Sequence, residues 1–183
     1  MRHLTQRDFR RTAWKNGGGE TVELAVSPVG ASLEDFDWRI SMARVERDGP
    51  FSLFPGIDRT MLVRSGAGVL LTVDGLETRL LPGKQPFHFA GDSQTTCRLL
   101  AGPVTDINIM SRRSASSHAV QQVESGATVV GAGQTFVLAT SALSIDASPY
   151  AIEAGDLLVV DPGENLTIAT GQALANQFSI SGA

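Results

Sequence analysis

The stretch Val69-Leu70-Leu71-Thr72-Val73-Asp74-Gly75-Leu76-Glu77-Thr78-Arg79-Leu80-Leu81 decides the fold class. Two apolar-rich runs flank an Asp-Gly dipeptide. Asp-Gly supplies the positive φ angles of a two-residue turn whose twist matches that of paired strands. The stretch therefore reads as a β-hairpin. The same period of two extends in both directions. Val22, Leu24 and Val26 alternate with Glu23 and Ala25, and Trp38, Ile40 and Met42 alternate with Arg39, Ser41 and Ala43. Such alternation predicts strands with one face buried. Further short strands are expected at 86–89, 96–100, 107–111, 120–123, 135–139, 150–153, 157–160, 166–169 and 177–180, with turn residues between them. Helical periodicity is confined to single turns at 5–10 and 32–36. The expected class is all-β, with few or no helices.

Moving the hairpin along the chain exposes a faint repeat. At an offset of 72 residues, Leu71-Thr72-Val73-Asp74 falls on Leu143-Ser144-Ile145-Asp146, Gly83 falls on Gly155, and Gly91 on Gly163. A shared register of turn glycines and apolar alternation implies two similar β units. The polar run from Ser111 to Ser117 marks their boundary, giving a first unit at 1–113 and a second at 114–183. The halves differ in chemistry. Residues 114–183 contain no Lys or Arg, while 1–113 hold both tryptophans and the dense polar motifs. A binding site is expected in the first unit.

Composition narrows the function classes. The chain has 183 residues, 42% of them hydrophobic and 19% charged, with a net charge of −4 and a pI near 5.3. An acidic balance argues against nucleic acid and anionic membrane surfaces. One cysteine, Cys97, leaves no internal disulfide and no multi-cysteine metal site. His3, His88 and His118 are far apart in sequence, with no carboxylate at metal-ligand spacing, so neither a metal nor a cofactor is expected. Met1 to Arg10 has no apolar region behind its basic residues and does not read as a secretory signal, and no apolar run is long enough for a membrane span. The expected location is the cytoplasm.

Several motifs concentrate polar chemistry. Trp14-Lys15-Asn16-Gly17-Gly18-Gly19-Glu20-Thr21 offers unshielded backbone amides beside the Asn16 amide, although a turn before a strand is its plainer reading. Arg39 and Ser41 share the strand face opposite Trp38 and Ile40. If that face points into a barrel, the guanidinium must meet an anion, because an unpaired buried charge is very costly. Gly49-Pro50-Phe51-Ser52-Leu53-Phe54-Pro55-Gly56-Ile57-Asp58-Arg59 reads as a rigid loop whose phenylalanines wall a carboxylate site presenting Arg59. Its alternative is an ion pair of Arg59 with Asp58 or Asp106. Asn108, between Ile107 and Ile109, faces a cavity or solvent. No Gly-x-Ser-x-Gly elbow appears, and the residues available as a general base are His88 and Asp58.

Trp14-Lys15-Asn16-Gly17-Gly18-Gly19 with Thr21, Trp38-Arg39-Ile40-Ser41, Gly49-Pro50-Phe51-Ser52 with Pro55 to Arg59, and Asp106-Ile107-Asn108-Ile109-Met110 together resemble the HutD/Ves family. The resemblance implies a cupin-like pair of β-barrels, a bicupin, in a bacterial cytoplasmic protein tied to histidine utilisation. It lacks the paired histidines that hold metal in many cupins. It implies a ligand pocket at Asn16, Gly17, Gly18, Arg39, Phe51, Ser52, Arg59 and Asn108, to which strand parity adds Ser41, with no catalytic residue. The implied partner is a small anionic metabolite such as urocanate or a formylated amino acid, bound so as to restrain pathway flux. A homodimer through barrel edges is a further expectation. Two other readings stay open: an isomerase or hydrolase acting on an imidazole or formyl-amide compound, and a docking module marked by an apolar patch at Phe51 to Phe54.

Overall fold

The computed structural model describes residues 1–14, 17–146 and 151–180. Among them the chain forms strands β1 (Arg2–Leu4), β2 (Arg10–Ala13), β3 (Gly19–Ser27), β4 (Trp38–Val45), β5 (Gly49–Pro50), β6 (Ile57–Ser65), β7 (Val69–Val73), β8 (Leu76–Leu80) and β9 (Phe87–Ala90). It continues through β10 (Thr95–Leu99), β11 (Val104–Arg112), β12 (Ser116–Glu124), β13 (Thr128–Val130), β14 (Gln134–Ala139), β15 (Ser144–Ile145), β16 (Leu157–Val160), β17 (Asn165–Thr170) and β18 (Gln172–Ile180). No helix occurs among the described residues. The two expected helical turns are single turns closed by side chains. The Thr5 amide and hydroxyl both donate to Asp8, and those of Ser32 donate to Asp35.

Strand order reveals the duplication. The six-stranded sheet runs β2-β3-β4-β11-β6-β9, and the five-stranded sheet runs β1-β16-β14-β18-β12. Read from β4 to β9, the first has the order β4-β11-β6-β9. The second, read in reverse, has β12-β18-β14-β16, the same succession one repeat later. The smaller sheets correspond in the same way, β5-β10-β7 with β13-β17-β15. The compact units comprise residues 10–117 in one case, and 1–9 with 118–180 in the other. The first nine residues therefore lie with the second repeat, because β1 pairs with β16, Arg2 opposite Val159 and Leu4 opposite Leu157.

In each unit the two sheets pack face to face. In residues 10–117 the contact is Val45, Met61, Val63 and Val104 from the large sheet against Val69, Leu71, Leu80 and Cys97 from the small one. In the other unit, Val137, Ala139, Leu158, Val160, Ala173 and Ala175 meet Val129, Ile145, Leu166 and Ile168. Burying a side chain such as Leu71 or Ile168 stabilises by about 1.5–3 kcal/mol.

Two expectations change. Val22, Leu24 and Val26 do not share one face. A bulge between Glu23 and Ala25 shifts the register, so that Val22 lies opposite Met42 and Val26 opposite Arg39. One extra residue turns every later side chain over. The 49–59 stretch is not all loop, since Ile57 begins β6, a long strand between β11 and β9. Arg59 is thus held by a strand inside a sheet. The 69–81 hairpin forms as read, with Val73 opposite Leu76 and both Asp74 and Gly75 at positive φ. The strand expected at 150–153 begins outside the described residues, and Ile152 makes a bridge to Leu143.

The triple glycine finds its use in this packing. Gly17 donates to the Trp14 carbonyl in the β2–β3 turn, and Gly18 accepts from Glu46. At Gly19 a Cβ would collide with the Arg44 carbonyl oxygen of β4, a backbone atom that no rotamer change removes. A Cβ at Gly17 meets nothing, though its φ of 66° disfavours one by about 1–2 kcal/mol. Gly19→Ala is expected to lower the chemical-denaturation midpoint several times more than Gly17→Ala, and equal losses would contradict this account of the close approach.

Candidate functional site

Register on the inner face of the six-stranded sheet, the face turned toward the small sheet, places the polar residues in rows. Arg39 lies opposite Met110, which lies opposite Arg59, which lies opposite Phe89. In the next row Glu23 is followed by Ser41, Asn108, Met61 and Phe87. In the third, Ala43 and Asp106 are neighbours. Apolar clusters bound this belt at both ends. Phe36, Ile57 and Met110 with Val26 and Phe54 close one end, and the Val45–Met61–Leu71 cluster with Trp14, Phe51, Phe87 and Phe89 closes the other. The apolar cluster of the second unit consists of valine, leucine, isoleucine and alanine, with Thr135 a buried polar residue on the Val137–Ala139 face of β14.

Arg59 is the centre of the belt. It is 6% exposed. Its guanidinium carbon lies 5.0 Å from the Phe51 ring centroid, 5.0 Å from Phe89 and 5.5 Å from Phe54. Its Nη2 donates to Asn108 Oδ1 at 2.6 Å. Asn108 Nδ2 in turn donates to Asp106 Oδ1 at 2.9 Å, which also accepts the Ala43 amide at 3.2 Å. Arg59 Nε is buried without a partner. Cation–π attraction is worth about 2 kcal/mol or more once desolvated, but the rings supply no hydrogen-bond acceptor. Among the described residues, a carboxylate, Asp106, reaches this cation through an intervening amide.

Burial shifts both charges. It pushes the Arg59 guanidinium down to about 10, Asp106 holding it up and Arg39 pressing it lower. It pushes the Asp106 carboxyl up to about 6, with Arg59, the Asn108 amide and the Ala43 amide each pulling it back. Arg59 is a cation at neutral pH and Asp106 titrates close to it. Arg39 differs. Its Nε donates to Glu23 Oε2 at 2.8 Å and its Nη1 to Ser41 Oγ at 3.2 Å, so it already has a carboxylate.

Loop 51–56 is positioned by backbone bonds. Phe51 N donates to Thr95 O, Phe54 N to Gly91 O, and Gly91 N to Ile57 O. A Cβ at Gly91 would sit 2.7 Å from the Phe54 carbonyl oxygen, so the bare glycine lets the loop press onto β9 and lay Phe51 and Phe54 over Arg59.

The sequence-derived residues divide accordingly. Arg39, Ser41, Phe51, Arg59 and Asn108 meet on the inner face. Ser52 is exposed. Asn16 lies outside the described residues. Gly17 and Gly18 adjoin Gly19, which pairs with Val45, whereas Arg39 pairs with Val26. Six residues of β4, about 20 Å at the usual strand rise, separate the glycine turn from Arg39. Glu23 and Phe89 are absent from the sequence reading but belong to the belt, whereas Phe54 takes the wall position expected beside Phe51, and Asp106, expected as a direct ion-pair alternative for Arg59, stands behind Asn108. Strand parity with Ser41 and Asn108 was the available signal for Glu23 and Asp106.

His88 and Asp58, the two available bases, lie on the opposite face. His88 Nδ1 meets Thr60 Oγ1 at 2.6 Å, and Asp58 is bound by Arg113. Phe51 and Phe54 are half-buried against Arg59, leaving Leu53 as the exposed apolar residue of that loop. No three His, Cys, Asp or Glu side chains converge among the described residues. Glu23 and Asp106 are engaged by Arg39 and by amides, and this donor set does not suit a divalent ion. Cys97 is buried, its thiol pushed up to about 12 by desolvation.

The HutD family model matches residues 6–176. The chain is 42% identical over 107 residues to a Pseudomonas putida protein described as "Uncharacterized 21.2 kDa protein in hutC 3'region", a match spanning 58% of this chain and 56% of that protein. It is 36% identical over 141 residues to Protein Ves of Citrobacter koseri, covering 75% of this chain and 73% of the relative. In three dimensions it matches HutD from Pseudomonas fluorescens SBW25 with a TM-score of 0.87 at 33% identity, over 99% of each chain. A salicylate 1,2-dioxygenase from Pseudoaminobacter salicylatoxidans shares the fold at 10% identity, with a TM-score of 0.59 over 89% of this chain and 81% of that one. The fold is all-β and cupin-like, as the family resemblance implies, and the chain belongs to the HutD family, whose members are associated with histidine utilisation.

Proposed function

We propose that the belt captures a small carboxylate and that the protein acts as a metabolite-binding regulator of histidine breakdown. The observation that carries this reading is Arg59, a buried cation whose Nε has no partner and whose nearest carboxylate stands behind Asn108. A carboxylate at this guanidinium replaces a missing interaction instead of competing with an existing one. Phe51, Phe54 and Phe89 exclude water from the contact, and a low dielectric strengthens it. HutD from P. fluorescens is described in a formate condition, and formate is the smallest carboxylate. Urocanate and formylated amino acids carry the same group on larger bodies. The two bases expected for an isomerase or hydrolase, His88 and Asp58, lie on the other side of the sheet.

Arg59→Met keeps most of the side-chain volume and removes the charge. Calorimetric titration with formate and with urocanate is expected to show at least about a tenfold loss of affinity, the lower end of a charged hydrogen bond's worth. The unliganded variant is expected to melt no lower than the parent, since a buried, incompletely paired cation is removed. Unchanged affinity for both probes removes Arg59 from the site.

The Asp106 carboxyl gives a second test. Its folded value of about 6 lies above the ordinary 3.8, so between these values the folded chain holds a proton that the unfolded chain has released. Its contribution to stability is therefore present in full below pH 4, declines as pH rises from 4 to 6, and is level above. Asp106→Asn is expected to flatten the pH dependence of denaturation midpoints in this window. A bound anion raises the carboxyl further, so formate affinity in the parent is expected to increase as pH falls from 7.5 toward 5.5, and in Asp106→Asn to stay flat. Affinity that falls with pH in the parent would count against an anion beside Asp106.

A further inference from the structure

Strand β8 ends the four-stranded sheet β5-β10-β7-β8. Its partner register on β7 is Leu76 with Val73, Thr78 with Leu71 and Leu80 with Val69. The pair flanking a two-residue hairpin turn is hydrogen-bonded, and bonded and non-bonded pairs then alternate. Leu76, Thr78 and Leu80 therefore direct their N–H and C=O groups toward β7. Glu77 and Arg79 direct theirs to the open edge. Both side chains are exposed, and neither has an ion-pair or hydrogen-bond partner among the described residues. Leu76 beside them is 76% exposed. An edge of this kind is a template for another strand, and no proline interrupts it.

We propose that two copies of this chain associate through β8, antiparallel about a two-fold axis at Thr78. The charge order selects this occupant and this register. With the axis at Thr78, Glu77 lies opposite Arg79 of the second copy, and Arg79 opposite Glu77 of the second copy. Both pairs fall where the outward main-chain groups meet, giving about four inter-copy hydrogen bonds. Moving the axis to Glu77 opposes two glutamates, and moving it to Arg79 opposes two arginines, arrangements that destabilise a ladder. The Thr78 register also sets exposed Leu76 opposite Leu80 of the second copy. Another edge makes the contrast: β2 carries Arg10 and Arg11 with no acid among its four residues. The interface is self-complementary, as a two-fold requires. It is independent of the carboxylate reading, because Glu77 and Arg79 face solvent and take no part in the Arg59 belt.

The contact is small, so association is concentration-dependent and best read by sedimentation velocity of the whole chain from about 10 to about 500 µM. Dimer is expected to grow over that range. Glu77→Arg and Arg79→Glu, each turning attraction into repulsion at both pairs, are expected to raise the dissociation constant at least about tenfold. The double exchange Glu77→Arg with Arg79→Glu restores opposite charges and is expected to return it to near the parent value. Melting curves of the exposed-site variants check that all remain folded. Thr78→Cys, at the non-bonded pair on the axis where Cβ atoms approach to about 4.5–5.5 Å, is expected to give a disulfide-linked dimer under mild oxidant; Cys97 is buried and does not compete. A monomer throughout the range, single reversals without effect, or no Thr78→Cys linkage would each overturn the proposal.

Discussion

A guanidinium shut between two β-sheets is the constraint around which the first unit is arranged. Moving an ion out of water costs several kcal/mol even after the protein relaxes. Arg59 meets that cost with three phenylalanine rings, one amide oxygen and a carboxylate at one remove. Each device has a structural consequence. The rings need loop 51–56 pinned to β9 through Gly91. The amide needs Asn108 on the same face of β11 as Asp106, which strand periodicity provides at a spacing of two. Asp106 needs the Ala43 amide, which the β4–β11 register supplies. Arg59, Asn108, Asp106 and the Ala43 amide, on three adjacent strands, are thus tied into one chain of hydrogen bonds.

The second repeat shows what that arrangement costs. Its strands follow the same order, yet among the described residues its core cluster carries Val137, Ala139, Leu158, Val160 and Ile168, with Thr135 the buried polar residue beside them on β14. An apolar interior of this kind is the simpler solution for stability, since replacing buried ion pairs by packed hydrophobes is often neutral or favourable. Retention of Arg39, Glu23, Arg59 and Asp106 in one repeat and not the other is a difference in chemistry at constant topology. The absence of Lys and Arg from 114–183 expresses the same division in composition.

Much of the fold was legible because sheets write a period of two into the chain. The 69–81 hairpin, the sharing of a face by Arg39 and Ser41, and the 72-residue offset all follow from that period and from turn glycines. Three features were not legible. The bulge at Leu24 adds one residue without leaving a compositional mark, so Val26 was placed on the wrong face. Strand β6 was read into its preceding loop because Pro50, Pro55 and Gly56 dominate the local pattern, and Thr60 to Val63 are buried on both faces and do not alternate. The pairing of β1 with β16 joins residues some 155 positions apart, a contact no local signal encodes. In the site, parity found Arg39, Ser41 and Asn108. Asp106 was considered only as a direct ion-pair partner of Arg59, whereas the structure inserts Asn108 between them. The glycine turn was grouped with the arginines by its chemistry, while register sets it at the far end of β4.

The two arginines also differ in what a ligand would gain from them. They occupy β4 and β6 with β11 between, so their backbones are about 10 Å apart, and Arg39 presses the Arg59 guanidinium lower. Arg39 is compensated directly by Glu23 and Ser41. An anion approaching it must compete with a carboxylate already 2.8 Å away. Arg59 has neutral neighbours on its faces, an amide at one donor, and an unfilled Nε. A carboxylate there adds charge compensation without displacing any, and it relieves repulsion between the two guanidinium groups as well. For a carboxylate bound as proposed, affinity would therefore be set by the difference between the two arginines: Arg39 would shape the potential, and Arg59 would stabilise the negative charge most.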